Sequence, residues 1–440
     1  MDNIYETDEN QYYSESGSSL FDWLKSPACI VLCIFIFGTM IFIGKGQQQA
    51  AGMLLVLLFS LTVMMRGTGS ISPVPPEIKM YIAWILWAAL TGPMVAVNKA
   101  GLWYGGLRQV LQVLVLVIAV YGMARMHKER ALKAAMFGII IGGILQAMVV
   151  RGAVQTMGGG LSGLEGESGR VGGLASNVNT LGFMMIWALL AAIMLWKQKW
   201  GKTHKLVLAG TALLLPILSY GMLASGSRKS LVAFAFVIAA WFWYAMAPRN
   251  RTKAVAWKTG VFVTILALSG PLSVYVLTNT LAGKRMAERL TGGGTLVTSE
   301  RGRLEMYLEG FKMTAKSPIV GVGINQYRDR SSSGKYSHSN YIEPLATTGI
   351  PGFILYQGIF FIPLYRAWRL TKMTDDTAQI YQLKVIVIMC VTILLLGFGS
   401  PWYSSTMVMS FLALFSGYTY SCLHQARDEQ WLYLEKPTYD

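Results

Sequence analysis

The sequence predicts an all-α, polytopic integral membrane protein of about twelve transmembrane helices, with a large external loop that contains an amphipathic helix. Three observations carry that prediction. Of the 440 residues, 53% are hydrophobic and only 14% charged, against about 25% charged in an ordinary soluble domain. Apolar runs recur from Ala28 to Leu423, each near the ~20 residues that cross about 30 Å of hydrocarbon. The net charge of +16 resides mainly in short loops between these runs. Such a distribution signals membrane topology and not a surface for nucleic acid.

Residues 1–26 carry Asp2, Glu6, Asp8, Glu9 and Glu15 and few apolar side chains, so they are expected to be a disordered cytoplasmic tail. They have no basic segment leading into a short apolar core and do not read as a signal peptide. Residues 27–423 form the membrane domain, and 424–440 are expected to be a second cytoplasmic tail. The spans of the first half are Ala28–Ile43, Ala50–Met65, Ile78–Val97, Leu107–Met123, Ala134–Val150 and Asn179–Trp196. Those of the second half are Leu206–Ala224, Leu231–Met246, Ala254–Leu277, Ile350–Trp368, Leu383–Phe398 and Tyr403–Leu423. An even count puts both termini on one side.

Loop charge indicates which side. Arg125, Lys128, Arg130 and Lys133 follow the fourth span, and Lys197, Lys199, Lys202 and Lys205 follow the sixth. Arg249, Arg251, Lys253 and Lys258 follow the eighth, and Arg366, Arg369, Lys372 and Lys384 surround the turn after the tenth. The excess of Lys and Arg in these alternate loops predicts that they are cytoplasmic. Three polar segments are then external: Arg151–Val178, the Ser225–Ser230 turn, and the long loop 278–339.

The long loop holds the densest polar chemistry. Ser299–Lys316 has Leu304, Tyr307, Leu308 and Phe311 at three- and four-residue steps, the spacing of an amphipathic helix, with Pro318 beyond its end. A glycine turn, Gly321-Val322-Gly323, leads to Arg328, Arg330 and then His338. His338 is the histidine on the external side by this topology, and its ordinary pKa suits a general base or a hydrogen-bond donor to a leaving group. In the Ser225–Ser230 turn, Arg228 offers a planar donor fork beside the free N–H groups of a helix start, a combination that suits phosphate. Arg151 and Arg170 are the cations of the glycine-rich connector 158–173.

Several chemistries lack their motifs. No HExxH, CxxC pair or P-loop occurs, so neither metal hydrolysis nor ATP-driven transport is expected. No GxSxG nucleophile elbow occurs either. Cys29, Cys33, Cys390 and Cys422 lie in or at the edge of apolar runs and read as small buried side chains. Ionisable residues are nearly absent from the span interiors, Glu343 at the approach to the tenth span being one exception, which argues against a transporter.

At the level of motifs the chain resembles the bacterial O-antigen ligases and the related O-antigen polymerases. The ligase signature is a His followed by Asn, Ser or Gln, nine residues, Gly, two residues, then Gly, Thr or Tyr. His338-Ser339, Asn340 to Thr348, and Gly349-Ile350-Pro351-Gly352 match it throughout. Gly302–Tyr307 followed by Ser317–Gly323 is similar to the family's GRLELW…HPLLGVG block, and Ser225–Ser230 to its GSR turn. Arg170–Gly182 resembles a fourth block, an arginine followed by G…NPN, with Val178 where proline is usual. The resemblance spans about residues 165–352.

It implies a metal-independent, inverting glycosyltransferase that needs no cofactor. The donor would be a glycan on polyprenyl pyrophosphate, the acceptor a sugar hydroxyl of lipid A core or another glycan, and the place the periplasmic face of the inner membrane. His338, Arg303 and Arg228 are then the expected catalytic residues. Arg170, Asn177, Asn179, Lys229, Asn340 and Tyr341 are expected to bind substrate. His338 would either take the acceptor proton or hold the pyrophosphate. A polymerase joining lipid-linked repeat units is the nearest alternative, and a flippase or exporter a more distant one.

Overall fold

In the computed structural model, every predicted span but one coincides with helix. The structure describes residues 21–41, 74–155, 165–166, 170–171, 178–196, 204–279 and 296–434. The predicted span Ala50–Met65, most of the N-terminal tail, Asn177 and the Lys197–Lys202 loop lie outside the described residues.

The elements, in order, begin with α1 (Pro27–Ile41), α2 (Pro76–Val95) and a π-helical stretch at Gly101–Leu107 that runs into α3 (Arg108–Gln155). A two-residue ladder follows, β1 (Glu165–Gly166) antiparallel to β2 (Arg170–Val171). Then come α4 (Val178–Trp196), α5 (His204–Ala224), α6 (Arg228–Ala240) and α7 (Arg251–Asn279). The last group is α8 (Leu296–Lys316), the single turn α9 (Tyr327–Arg330), α10 (Ile342–Leu370), α11 (Thr377–Gly397) and α12 (Thr406–Leu434). Apart from the ladder, the described secondary structure is helical. Among the described residues, seven helical segments are long and apolar enough to cross a membrane, and Pro27–Ile41 and Leu213–Ala224 are shorter apolar helices.

One of the seven, Gly101–Val150, contains two of the predicted spans. A single residue divides them: Lys128 has φ 44° and ψ −118°. The expected cationic loop between the fourth and fifth spans is therefore reduced to one break. The two arms run in opposite directions. Before the break, Tyr121 lies beside Gly417 of α12; after it, Phe137 stacks near Trp23, and Ala147 reaches Gly221 of α5.

Contacts gather the three described basic loops at one end of the bundle. Arg249 pairs with Asp375 at 2.7 Å, Lys384 lies over Tyr244, and Arg125 and Arg366 both lie over the Tyr420 ring. Two of the cations assigned to loops are in fact buried. Lys133 pairs with Glu129 at 3.1 Å. Arg366 donates to both carboxylate oxygens of Glu77, at 2.7 and 2.5 Å, and Ser416 donates to the same group. This corrects the expectation that span interiors are nearly free of charge. A bidentate pair carries no net charge, and its hydrogen bonds replace those lost to water. The four cysteines are free and buried.

The opposite end is organised by a break in α10. Gly349 has φ 68°, and a Cβ there would sit 2.2 Å from the Ile319 carbonyl oxygen, so only glycine fits. Pro351, lacking an N–H, cannot bond the Thr347 carbonyl as a continuous helix would require. The freed carbonyls find other donors. Val322 N–H reaches Ala346 O and Gly323 N–H reaches Thr347 O, both at 2.9 Å. Trp87 Nε1 donates to Thr348 O at 2.9 Å, and Ile350 N–H turns to Pro318 O at 2.8 Å. The glycine turn 321–323 is thus stitched along the broken helix, and the carbonyls of Ala346, Thr347 and Thr348 are all paired.

Candidate active site

The Ser225–Ser230 turn builds the first wall. Ser227 caps α6, its Oγ accepting from Ser230 N–H at 3.4 Å and from Ser230 Oγ at 2.9 Å, while Ser225 Oγ accepts from Ser227 N–H. A serine cap of this kind contributes about 1 kcal/mol. Gly226 supplies the left-handed turn at φ 60°. Arg228 and Lys229 are therefore the first two residues of a helix whose N–H groups point the same way, a ready setting for an anion. Gly182 of α4 packs directly on Ser225 and Ser230, so Asn179 sits one turn away from this wall.

The second wall is α8. It carries Arg303 and, one turn on, Tyr307, whose hydroxyl donates to Phe398 O at 2.9 Å. The third is the histidine loop. His338 is half-buried and adopts a left-handed backbone at φ 57°. The buried serines on either side hold that conformation: Ser337 N–H donates to Glu343 Oε2 at 2.7 Å, and Ser339 Oγ accepts from Tyr341 and Ile342 N–H, both at 3.2 Å.

The walls converge. Arg303 and Arg228 both act electrostatically on Lys229, and Arg303, Lys229 and Lys335 all act on His338. Arg228, Lys229, Arg303 and His338 therefore form one cluster, although they come from three separate parts of the chain. Burial, followed by the charge of Arg303 and the weaker effects of Lys229 and Lys335, lowers the His338 pKa to about 4. The imidazole is neutral at neutral pH, because burial and the neighbouring cations disfavour its protonated form. Among the described residues, no three His, Cys, Asp or Glu side chains gather as metal ligands.

Other sequence candidates take different places. Asn340 and Tyr341 face inward. Asn340 Oδ1 accepts from Tyr356 OH at 2.5 Å and Trp402 N–H at 2.8 Å, and its own N–H donates to Gly397 O at 2.7 Å. Tyr341 OH donates to Leu394 O at 2.8 Å, and its ring lies on Phe398. Both pin the histidine loop to the rest of the bundle. Arg170 contributes its backbone to β2. Arg328 and Arg330 spend donors on the carbonyls of Gly334 and Val95.

Sequence reasoning missed the corner after α11. Gly397 O receives Asn340, Phe398 O receives Tyr307, and Gly399 leaves the space that Lys229 Nζ fills. Three consecutive residues thus hold one member of each wall. Two glycines around an aromatic residue at the end of an apolar run, GFGSPW, are the visible trace of this corner. Tyr336, whose ring centroid is 4.0 Å from that of His338, was also missed.

These features define a class: a polytopic helical membrane protein with a cationic, histidine-containing site at one end of its bundle. Residues 213–357 match the family model described as O-antigen ligase, which supports the family whose motifs the sequence resembles. The match runs from α5 into α10 and includes Arg228, Lys229, Arg303 and His338; the Arg170–Asn179 block precedes it. It suggests ligase or polymerase-like, glycosyltransferase-type chemistry on a lipid-linked glycan. No curated protein matches the chain.

Proposed function

We propose that the protein transfers a glycan from polyprenyl pyrophosphate to a sugar hydroxyl, with lipid A core as the acceptor, on the periplasmic side of the bacterial inner membrane. The observation that carries this reading is the convergence of Arg228, Lys229 and Arg303 on a histidine kept neutral by its surroundings. A pyrophosphate leaving group needs fixed cations as its charge develops, and a hydroxyl nucleophile needs a base. The cluster supplies both.

In the proposed reaction the acceptor oxygen attacks the anomeric carbon from the face opposite the pyrophosphate. The new C–O bond forms as the bond to the phosphate oxygen breaks, and the electron pair leaves on the polyprenyl pyrophosphate. His338 takes the hydroxyl proton. Arg228 and Arg303 meet the phosphate oxygens through their planar forks, with Lys229 as a point charge beside them. Displacement in one step inverts the anomeric centre. No metal is needed, because the leaving group is already activated and its charge is met by side chains.

The orientation belongs to the same proposal. The basic loops gather at the end away from the cluster, and the positive-inside rule makes that end cytoplasmic. Twelve crossings, with Ala50–Met65 as the second, place both termini there.

The test is incubation of purified protein with lipid-linked glycan, with and without lipid A core, followed by product sizing. Product that appears only with lipid A core is expected. Lengthened lipid-linked glycan without that acceptor would instead identify a polymerase, and no transfer in either arm would overturn the reading.

A further inference from the structure

The helix that carries Arg303 leaves an apolar stripe uncovered. Leu304, Leu308 and Phe311 of α8 are 59%, 50% and 52% exposed, and Ala315 continues the row. The sequence pattern marked Leu304, Tyr307, Leu308 and Phe311 as the apolar row of an amphipathic helix. The buried side is instead Met306, Gly310 and Thr314, with Gly310 pressed against Ile342. At about 100° per residue, the uncovered row lies between that buried side and a third face carrying the exposed Glu305, Lys312 and Lys316. A helix exposed to water on both outer faces would not place three large apolar side chains in line on one of them.

The height of α8 indicates what covers the stripe. Gly310 packs against Ile342, the first residue of a segment long and apolar enough to cross a membrane. Tyr307 donates to the carbonyl of Phe398, the residue that follows α11, a second such segment. The middle of α8 is therefore level with the ends of two candidate spans, the level at which hydrocarbon would give way to headgroups. At that level an apolar face meets acyl chains, and lysines beside it meet lipid phosphates.

We propose that α8 is an interfacial helix that lies in the membrane surface. Leu304, Leu308, Phe311 and Ala315 sink into the acyl–headgroup boundary, and Lys312 and Lys316 rest against anionic headgroups. Arg303 adjoins Leu304 on the same turn, so the depth of the stripe sets the height at which its guanidinium works. The lipid contact itself does not depend on the chemistry proposed above.

The test uses the purified full chain in vesicles of phosphatidylethanolamine and phosphatidylglycerol, with an environment-sensitive thiol probe on one introduced cysteine at a time. The native cysteines are all buried, so the introduced residue takes the label. Probes at Leu308→Cys, Phe311→Cys and Ala315→Cys are expected to emit as in an apolar medium, to be quenched by shallow doxyl lipids, and to resist aqueous iodide. Probes at Glu305→Cys and Lys312→Cys should respond to iodide at least about fivefold more strongly. Equal access of iodide to both sets would overturn the proposal. Protection of the stripe from both quenchers would overturn it too, in favour of a protein contact. Ala315→Cys replaces a small side chain, so it keeps the test decisive if either larger residue is needed for folding.

Discussion

The ring of Tyr336 lies over that of His338, with centroids 4.0 Å apart and planes tilted by 42°. This cover helps remove the imidazole from water, and desolvation is the largest cause of its low pKa of about 4. Arg303, Lys229 and Lys335 add to it, because a cationic ring beside cations is disfavoured. Two of these charges, Arg303 and Lys229, belong to the cluster proposed to meet the anion, so the same cations also help keep the histidine neutral.

The first prediction concerns that titration. The folded pKa lies below the ordinary histidine value of about 6.5, so the folded state binds fewer protons between the two. The associated stability is present above about pH 6.5 and declines as pH falls towards 4. NMR of histidine-labelled protein, with His127, His204 and His424 replaced, should place the His338 midpoint well below 6. Tyr336→Ala and Arg303→Ala should each move it upward. A wild-type midpoint at or above 6.5 would contradict the desolvated, cation-flanked ring.

Substitution within the cluster should separate specific geometry from general attraction. His338→Ala is expected to lower transfer by about 10²–10⁴-fold, the usual contribution of a general base. Arg228→Lys and Arg303→Lys retain charge but lose the planar fork, and a lost charge-assisted hydrogen bond of about 1.5–3 kcal/mol corresponds to roughly 10–100-fold. Lys335→Ala, in the exposed serine-rich stretch, should keep near-normal transfer. If all four variants behave alike at normal expression, the cations act only as a diffuse field.

Gly349→Ala tests the break in α10. With φ 68° and ψ −175°, Gly349 occupies a region essentially reserved for glycine, at a cost of about 1–3 kcal/mol to another residue, and the Cβ would also meet Ile319 O at 2.2 Å. Thermal unfolding in detergent should show marked destabilisation, with loss of transfer. Gly302→Ala is the control, since nothing lies within 4 Å of its added Cβ. Equal stability of the two variants would show that the break is not held as described.

Chelation provides a fourth measurement. Transfer should survive EDTA, because the charge of the leaving group is met by arginine and lysine. Activity lost on chelation and restored by magnesium or manganese would assign the phosphate contacts to a metal.

Orientation is tested by thiol labelling from outside intact cells. Ser332→Cys and Gly160→Cys should label, whereas cysteines at Lys128, Lys202, Arg251 and Lys372 should label only after permeabilisation. A labelled Lys202→Cys beside a silent Ser332→Cys would invert the topology.

Helix and membrane character were legible in the sequence by itself, because hydropathy over a span and charge at its ends are local, additive properties. So were the motifs that mark His338, Arg303 and Arg228 as candidates, since those motifs keep fixed spacing along the chain. The tertiary structure alone decided what surrounds them. That Gly397, Phe398 and Gly399 hold the histidine loop, Tyr307 and Lys229 depends on four segments meeting, which no window of sequence contains. That Lys133 and Arg366 are buried depends on Glu129 and Glu77 lying opposite, a pairing invisible to a count of loop charges. Periodicity showed that α8 has an apolar row but not which row faces the protein. One apolar side of that helix is buried in the bundle and the other is exposed, and only packing tells them apart.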